Sequence, residues 1–199
     1  MNIFVIAGPS GVGKSHLIHE LTKRGIYPLE VYTDRVRRPT EKVITDRVYL
    51  SRSEFDRAGE EFLYWFEFQG SRYGYKRSDI QRLEQQNNSL CFNITPTHLP
   101  ELLKVLPRAV VIFLMVKLEN FGMLFERMVK REVSLKDSAG VKAVKMNKIR
   151  DRLDFARKEV DNYRNIQKVL SGNPLGRIFV VRNNDTLYEE VLPYILKLK

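Results

Sequence analysis

One cysteine, Cys91, stands in 199 residues, which excludes an intrachain disulfide framework and a thiolate metal cluster. No stretch approaches the ~18 consecutive apolar residues that cross a bilayer. The most apolar segment, residues 109–116, is only of strand length. Residues 1–6 lack the basic start and small-residue cleavage site of a secretory leader, so a reducing, cytoplasmic setting is expected. Internal repeats and low-complexity tracts are missing. With 43% hydrophobic and 29% charged residues, disorder along the whole chain is excluded. Negative charge is also scarce: 34 Lys and Arg face 24 Asp and Glu, a net charge of +10. Residues 127–168 alone hold 13 basic and 6 acidic side chains. An anionic partner is therefore expected. No RNP, helix-turn-helix or zinc signature points to nucleic acid.

What is present alternates between strand and helix. Short β-branched or apolar runs at 2–7, 29–33, 89–94, 109–116 and 177–181 read as five core strands. Amphipathic spacing predicts helices over 14–24, 76–86, 99–106, 119–131 and 141–170, and a last one carrying Leu187, Val191, Ile195 and Leu198. Residues 43–50 and 62–68 read as strands of a smaller sheet. Between them lies a short helix, with Ser51 as its cap and Glu54 three residues on. Residues 69–75 read as a turn-rich aromatic segment and 134–140 as a loop. Such alternation implies an α/β fold with a parallel sheet covered on both faces.

The strongest local signal is Gly8-Pro9-Ser10-Gly11-Val12-Gly13-Lys14-Ser15, which meets the P-loop pattern G-x-x-x-x-G-K-[ST] at every fixed position. The glycines let backbone N–H groups turn inward, and the helix that follows presents its positive end to the same point. Lys14 is placed to reach the β- and γ-phosphates of ATP, and the Ser15 hydroxyl to ligate Mg2+.

A P-loop alone leaves GTPases, ATPases, motors and small-molecule kinases open. Thr33-Asp34-Arg35-Val36-Arg37-Arg38-Pro39 resembles the T-T-R-x-P-R-P segment of guanylate kinases. The run from Phe62 through Trp65 to Gly70, followed by Arg72-Tyr73-Gly74, is similar to their F-[IL]-E-W-x-x-[FV]-x-G-x-x-Y-G. Ser53-Glu54-Phe55, the two arginines Arg127 and Arg131, Arg152-Leu153 and Asn183-Asn184-Asp185 match further motifs in the family's order, across nearly the whole chain.

The resemblance implies a single three-layer α/β/α kinase domain over 1–199. It would have a five-stranded parallel sheet, an inserted mixed-sheet acceptor region at about 33–86, and a helical lid at about 126–148. It implies that Arg35, Arg38 and Tyr73 hold the acceptor's phosphate. Arg127, Arg131 and Arg152 would close over the ATP phosphates, and Asn183 would lie against the nucleotide. Tyr64 stands where the family has a guanine-reading glutamate, Asn93 where it has a strand acid, and Arg47 where it has a tyrosine. An acid accepts both the N1–H and N2–H of guanine, which Tyr and Asn cannot match.

Asn93-Ile94-Thr95-Pro96-Thr97-His98-Leu99-Pro100 and Arg57-Ala58-Gly59 are similar instead to ribose 1,5-bisphosphate phosphokinases of the same superfamily. The expected activity is thus ATP- and Mg2+-dependent phosphoryl transfer to a small phosphorylated acceptor. That acceptor is a nucleoside monophosphate, or alternatively ribose 1,5-bisphosphate, giving phosphoribosyl diphosphate. A non-catalytic guanylate kinase-like binding module is the other alternative. The expected state is a monomer or homodimer without membrane attachment. Trp65, Phe66 and Phe68 are expected in the core of the small sheet, and Cys91 as a buried hydrophobe.

Overall fold

The computed structural model describes residues 2–37, 47–161 and 163–199. Strand β1 (Ile3–Ala7) is almost wholly buried because both of its faces are covered. It runs parallel between β7 (Ser89–Ile94) and β8 (Val110–Met115). The outer positions are β2 (Ile26–Pro28), beside β7, and β9 (Arg177–Val180), beside β8, giving the parallel order β2-β7-β1-β8-β9.

Alternate residues of these strands feed two separate clusters, as the two-residue side-chain period requires. Phe4, Ile6, Ile112 and Leu114 pack on one face against α1 (Lys14–Thr22), α5 (Phe121–Glu132), α6 (Ala139–Asp161) and α8 (Leu192–Leu198). Val5, Ala7, Val111 and Phe113 pack on the other against α3 (Arg77–Gln85), α4 (Leu99–Val105) and α7 (Tyr163–Ser171). The three-layer α/β/α expectation holds. Cys91 lies fully buried within the first cluster. Among the described residues no helix is long and apolar enough to cross a membrane.

A second sheet, in the order β4-β3-β6-β5, contains β3 (Val31–Thr33), β4 (Arg47–Tyr49), β5 (Phe62–Phe68) and β6 (Ser71–Lys76). Here one expectation is corrected. Residues 29–33 do not form the second core strand; that place belongs to β2, and Val31–Thr33 pairs with β4 and β6. The apolar character of the segment was read correctly, since Leu29 and Val31 both join the second core cluster. The pairing of β2 with β7 ends one residue beyond Pro28, where the Leu29 N–H donates to the Cys91 carbonyl at 2.9 Å.

The aromatic segment at 69–75 is a hairpin strand rather than a turn alone. Its two-residue loop, Gln69-Gly70, has φ of 52° and 72°, the positive pair that matches a hairpin's twist. Helix α2 (Arg52–Arg57) starts as expected: Ser51 Oγ accepts the Glu54 N–H at 3.2 Å, and the Glu54 carboxylate accepts the Ser51 N–H at 2.6 Å. Over the helical stretch expected at 141–170 the described residues form α6, which begins at Ala139, and α7; Asn162 lies outside the described residues.

Candidate active site

The carboxyl end of β1 runs straight into the glycine loop, and α1 leaves it. Gly8 cannot be replaced: at φ 148° a Cβ would lie 2.4 Å from the Leu114 carbonyl oxygen of β8. Gly13, at φ 115°, takes a conformation that L side chains rarely adopt just before α1 begins. Lys14 folds back over the loop, and its Nζ donates to the Gly8 carbonyl at 2.5 Å and the Pro9 carbonyl at 2.9 Å.

The loop opens on a cavity of about 380 Å³. Ser10, Gly11, Gly13, Lys14 and Ser15 line it, and Arg127 and Arg131 line it from α5. Arg47, Phe66, Phe68, Tyr73 and Tyr75 line it from the second sheet, Arg35 from the segment after β3, and Asn93 from β7. Five cationic side chains therefore converge. Among the described residues none that lines the cavity is acidic. Such a site can bring two phosphorylated molecules together, because its positive charge offsets their mutual repulsion.

Apart from Arg38, the expected site residues lie among the described residues. Arg127 donates to the Gly11 and Val12 carbonyls, both at 3.2 Å, and to Asn184 Oδ1 at 2.7 Å, tying the loop to the turn after β9. Burial holds its guanidinium below the usual arginine range. Arg131 pairs with Glu132 at 2.7 Å while lining the cavity. Arg35 Nη2 donates to the Tyr49 hydroxyl at 3.3 Å. Tyr73 stacks on Phe66, with ring centroids 5.4 Å apart.

Within the loop Gly8, Pro9 and Val12 are not among the lining residues, and outside it Arg152, Tyr64 and Asn183 are not either. Arg152 is held by Glu132 and, at 3.1 Å, by Gln69 Oε1. The Tyr64 hydroxyl donates to the His98 carbonyl at 3.2 Å, and burial pushes its pKa up to about 12. Asn183 Oδ1 accepts the Thr186 N–H at 3.1 Å inside its own turn. Arg38 lies outside the described residues.

Sequence reasoning missed several members. Phe66 and Phe68 line the cavity as well as packing in or against the core. Thr95 Oγ1, at the end of β7, is buried without a hydrogen-bond partner where the residue lines the cavity. Glu159 of α6 is 7% exposed, its Oε1 is buried without a hydrogen-bond partner, and its carboxyl interacts electrostatically with Lys14. Burial drives its carboxyl above the ordinary range, against the opposing pull of Lys14 and Thr97. Burial likewise lowers the Lys14 amine; Glu159 opposes that shift, while Arg131 and Arg47 reinforce it. No motif could have revealed Glu159, because its partner lies far away in sequence.

For a metal, the described residues contain no cluster of three His, Cys, Asp or Glu. Ser15 is the one donor in the pattern expected for Mg2+. That fits an ion which keeps several waters and takes its other oxygens from bound phosphates.

The guanylate kinase family model matches residues 1–179. The guanylate kinase of Koribacter versatilis is 32% identical over 174 residues, covering 84% of this chain and 70% of the relative. That of Bartonella henselae is 32% identical over 108 residues, covering 53% of this chain and 49% of the relative. The chain spans about half the length of several curated relatives it matches. The crystal structure of guanylate kinase from Anaplasma phagocytophilum superposes with a TM-score of 0.62 at 18% identity, covering 99% of this chain and 83% of that one. At that identity the likeness speaks for the fold.

Proposed function

The chain belongs to the guanylate kinase family, and from that premise we propose that it transfers the γ-phosphoryl group of ATP to the phosphate of a small acceptor. The observation that carries this reading is one cavity lined both by Lys14 and Ser15 of the glycine loop and by Arg35 and Arg47 from the segment after β3 and from β4. Lys14 exchanges the Gly8 and Pro9 carbonyls for the β- and γ-phosphates when ATP enters. Arg127 and Arg131 neutralise the donor's phosphates, while Arg35, Arg47 and Tyr73 hold the acceptor's. Arginine suits both tasks because its fork grips phosphate bidentately and keeps its charge. The Ser15 hydroxyl would hold Mg2+, which would supply further charge neutralisation at the transferring group. Residues 33–86 act as the acceptor region and 126–148 as the lid, with Arg152 joining lid to acceptor region through Gln69. No strong base is needed, since the accepting phosphate is already an anion. The cytoplasm is the compartment this reading implies.

A nucleoside monophosphate is the acceptor class by kinship. A second reading, a sugar bisphosphate such as ribose 1,5-bisphosphate, draws support from the lack of an acid among the described lining residues and from the Tyr64 hydroxyl being engaged by His98. A buried guanine edge left unmatched costs on the order of 1–3 kcal/mol per group. The test is ATP consumption with GMP, dGMP, AMP, UMP, dTMP and ribose 1,5-bisphosphate as acceptors, with products identified by mass. Turnover with one of them establishes the activity and chooses between the readings. ATP binding without turnover on any of them would leave a binding module.

A further inference from the structure

Asp34 and Arg72 are 38 residues apart and form an ion pair at the small sheet. The Asp34 side chain is 3% exposed. Its Oδ1 accepts the Arg72 main-chain N–H at 2.7 Å, and its Oδ2 accepts Arg72 Nε, also at 2.7 Å. The rest of the guanidinium is engaged as well: Nη1 pairs with Asp56, Nη2 donates to the Arg52 carbonyl at 3.0 Å, and the group lies 4.7 Å over the Phe55 ring. The main chain adds a second tie. The buried Thr33 hydroxyl donates to the Arg72 carbonyl at 2.7 Å and accepts the Arg35 N–H at 3.2 Å.

We propose that Arg72 is a positioning residue: by clamping Asp34 it aims the next side chain, Arg35, into the cavity. This rests on the acceptor-side reading of Arg35 given above. An exposed ion pair would contribute little. Here, however, the carboxylate is buried, and the span from strand to cavity is only two residues long. Fixing Thr33 and Asp34 therefore removes most of the freedom of the backbone that carries Arg35. The same residue precedes Tyr73, which lines the cavity too, so one guanidinium sets two parts of the acceptor wall. Lysine could not substitute, because a single ammonium lacks the planar fork that reaches Asp34, Asp56 and the Arg52 carbonyl together.

The experiment compares wild type with R72A, R72K and D34N by titration calorimetry, using GMP, ribose 1,5-bisphosphate and, separately, Mg2+-ADP. Fluorescence of Trp65, the protein's one tryptophan, reports the integrity of the small sheet. For the acceptor that wild type binds, affinity falls about tenfold in R72A and about three- to tenfold in R72K and D34N, with ADP affinity held within about twofold. Equal loss of both ligands in the near-isosteric D34N, or no loss in R72A, would overturn the inference and leave a purely structural pair. Full affinity in R72K would overturn it as well. Wild type that binds neither acceptor would instead refute the acceptor reading, and this inference with it.

Discussion

Five residues of one eight-residue run, Gly8 to Ser15, line the cavity, whereas Arg35, Arg47, Phe66, Tyr73 and Asn93 reach it from five separate segments. The cradle depends on backbone conformation, and Gly8 packs so closely on β8 that its Cα hydrogen cannot be exchanged for a methyl. Arg35, Arg47 and Tyr73 instead stand on or beside the small sheet, outside the five-stranded one. The phosphate loop meets its pattern at every fixed position, while Tyr64 and Asn93 stand where the resemblance led a base-reading acid to be expected.

The sharpest test of that division is Lys14→Ala. It should lower turnover by about 10²–10³-fold, as loss of a charge on the transferring group does, while acceptor affinity and fold persist. Steady-state kinetics with calorimetry checks this, and a parallel loss of acceptor binding would mean that the two groups of residues are not separable. Next in size, Arg35→Ala should weaken acceptor binding by about 10–100-fold, from a lost charge-assisted bond worth about 1.5–3 kcal/mol, and spare ADP. If ADP binding falls instead, donor and acceptor roles are reversed.

Glu159→Gln tests the back of the cradle. Because burial raises the Glu159 carboxyl, the folded state keeps a proton that the unfolded chain has already released. Wild-type stability should therefore decline as pH rises above the ordinary value of 4.5, and level off above the raised one. The glutamine variant should lack that decline, opening a gap on the order of 1 kcal/mol between pH 5 and pH 8 in denaturant titrations. Matching pH slopes would show the carboxyl to be unperturbed. The smallest effect belongs to Ser51→Ala, which removes a helix cap at the edge of the small sheet. A cost of about 1 kcal/mol in thermal unfolding is expected, with neither ligand affected; a change in acceptor affinity would show that α2 reaches the cavity wall.

Reading the sequence worked where structure is local. The P-loop, the Ser51–Glu54 cap and the amphipathic helices are written in spacings of a few residues, and the structure has them at or within a residue or two of the expected bounds. It went astray at residues 29–33, where the apolar pattern was right but the choice of sheet depended on which strand lay alongside. It also placed Tyr64, Arg152 and Asn183 in the site by analogy, and each is engaged with a neighbour outside the cavity lining.

The sequence alone determined the glycine-bent loop, the alternation of strand and helix, and the surplus of positive charge, because backbone preference and side-chain period act between near neighbours. Only the tertiary structure decided that Glu159 interacts with Lys14, that Arg127 bridges to Asn184, and that Asp34 meets Arg72. Those pairs are separated by tens of residues or more, and what joins them is the stacking of layers, which leaves no periodic trace in a single chain.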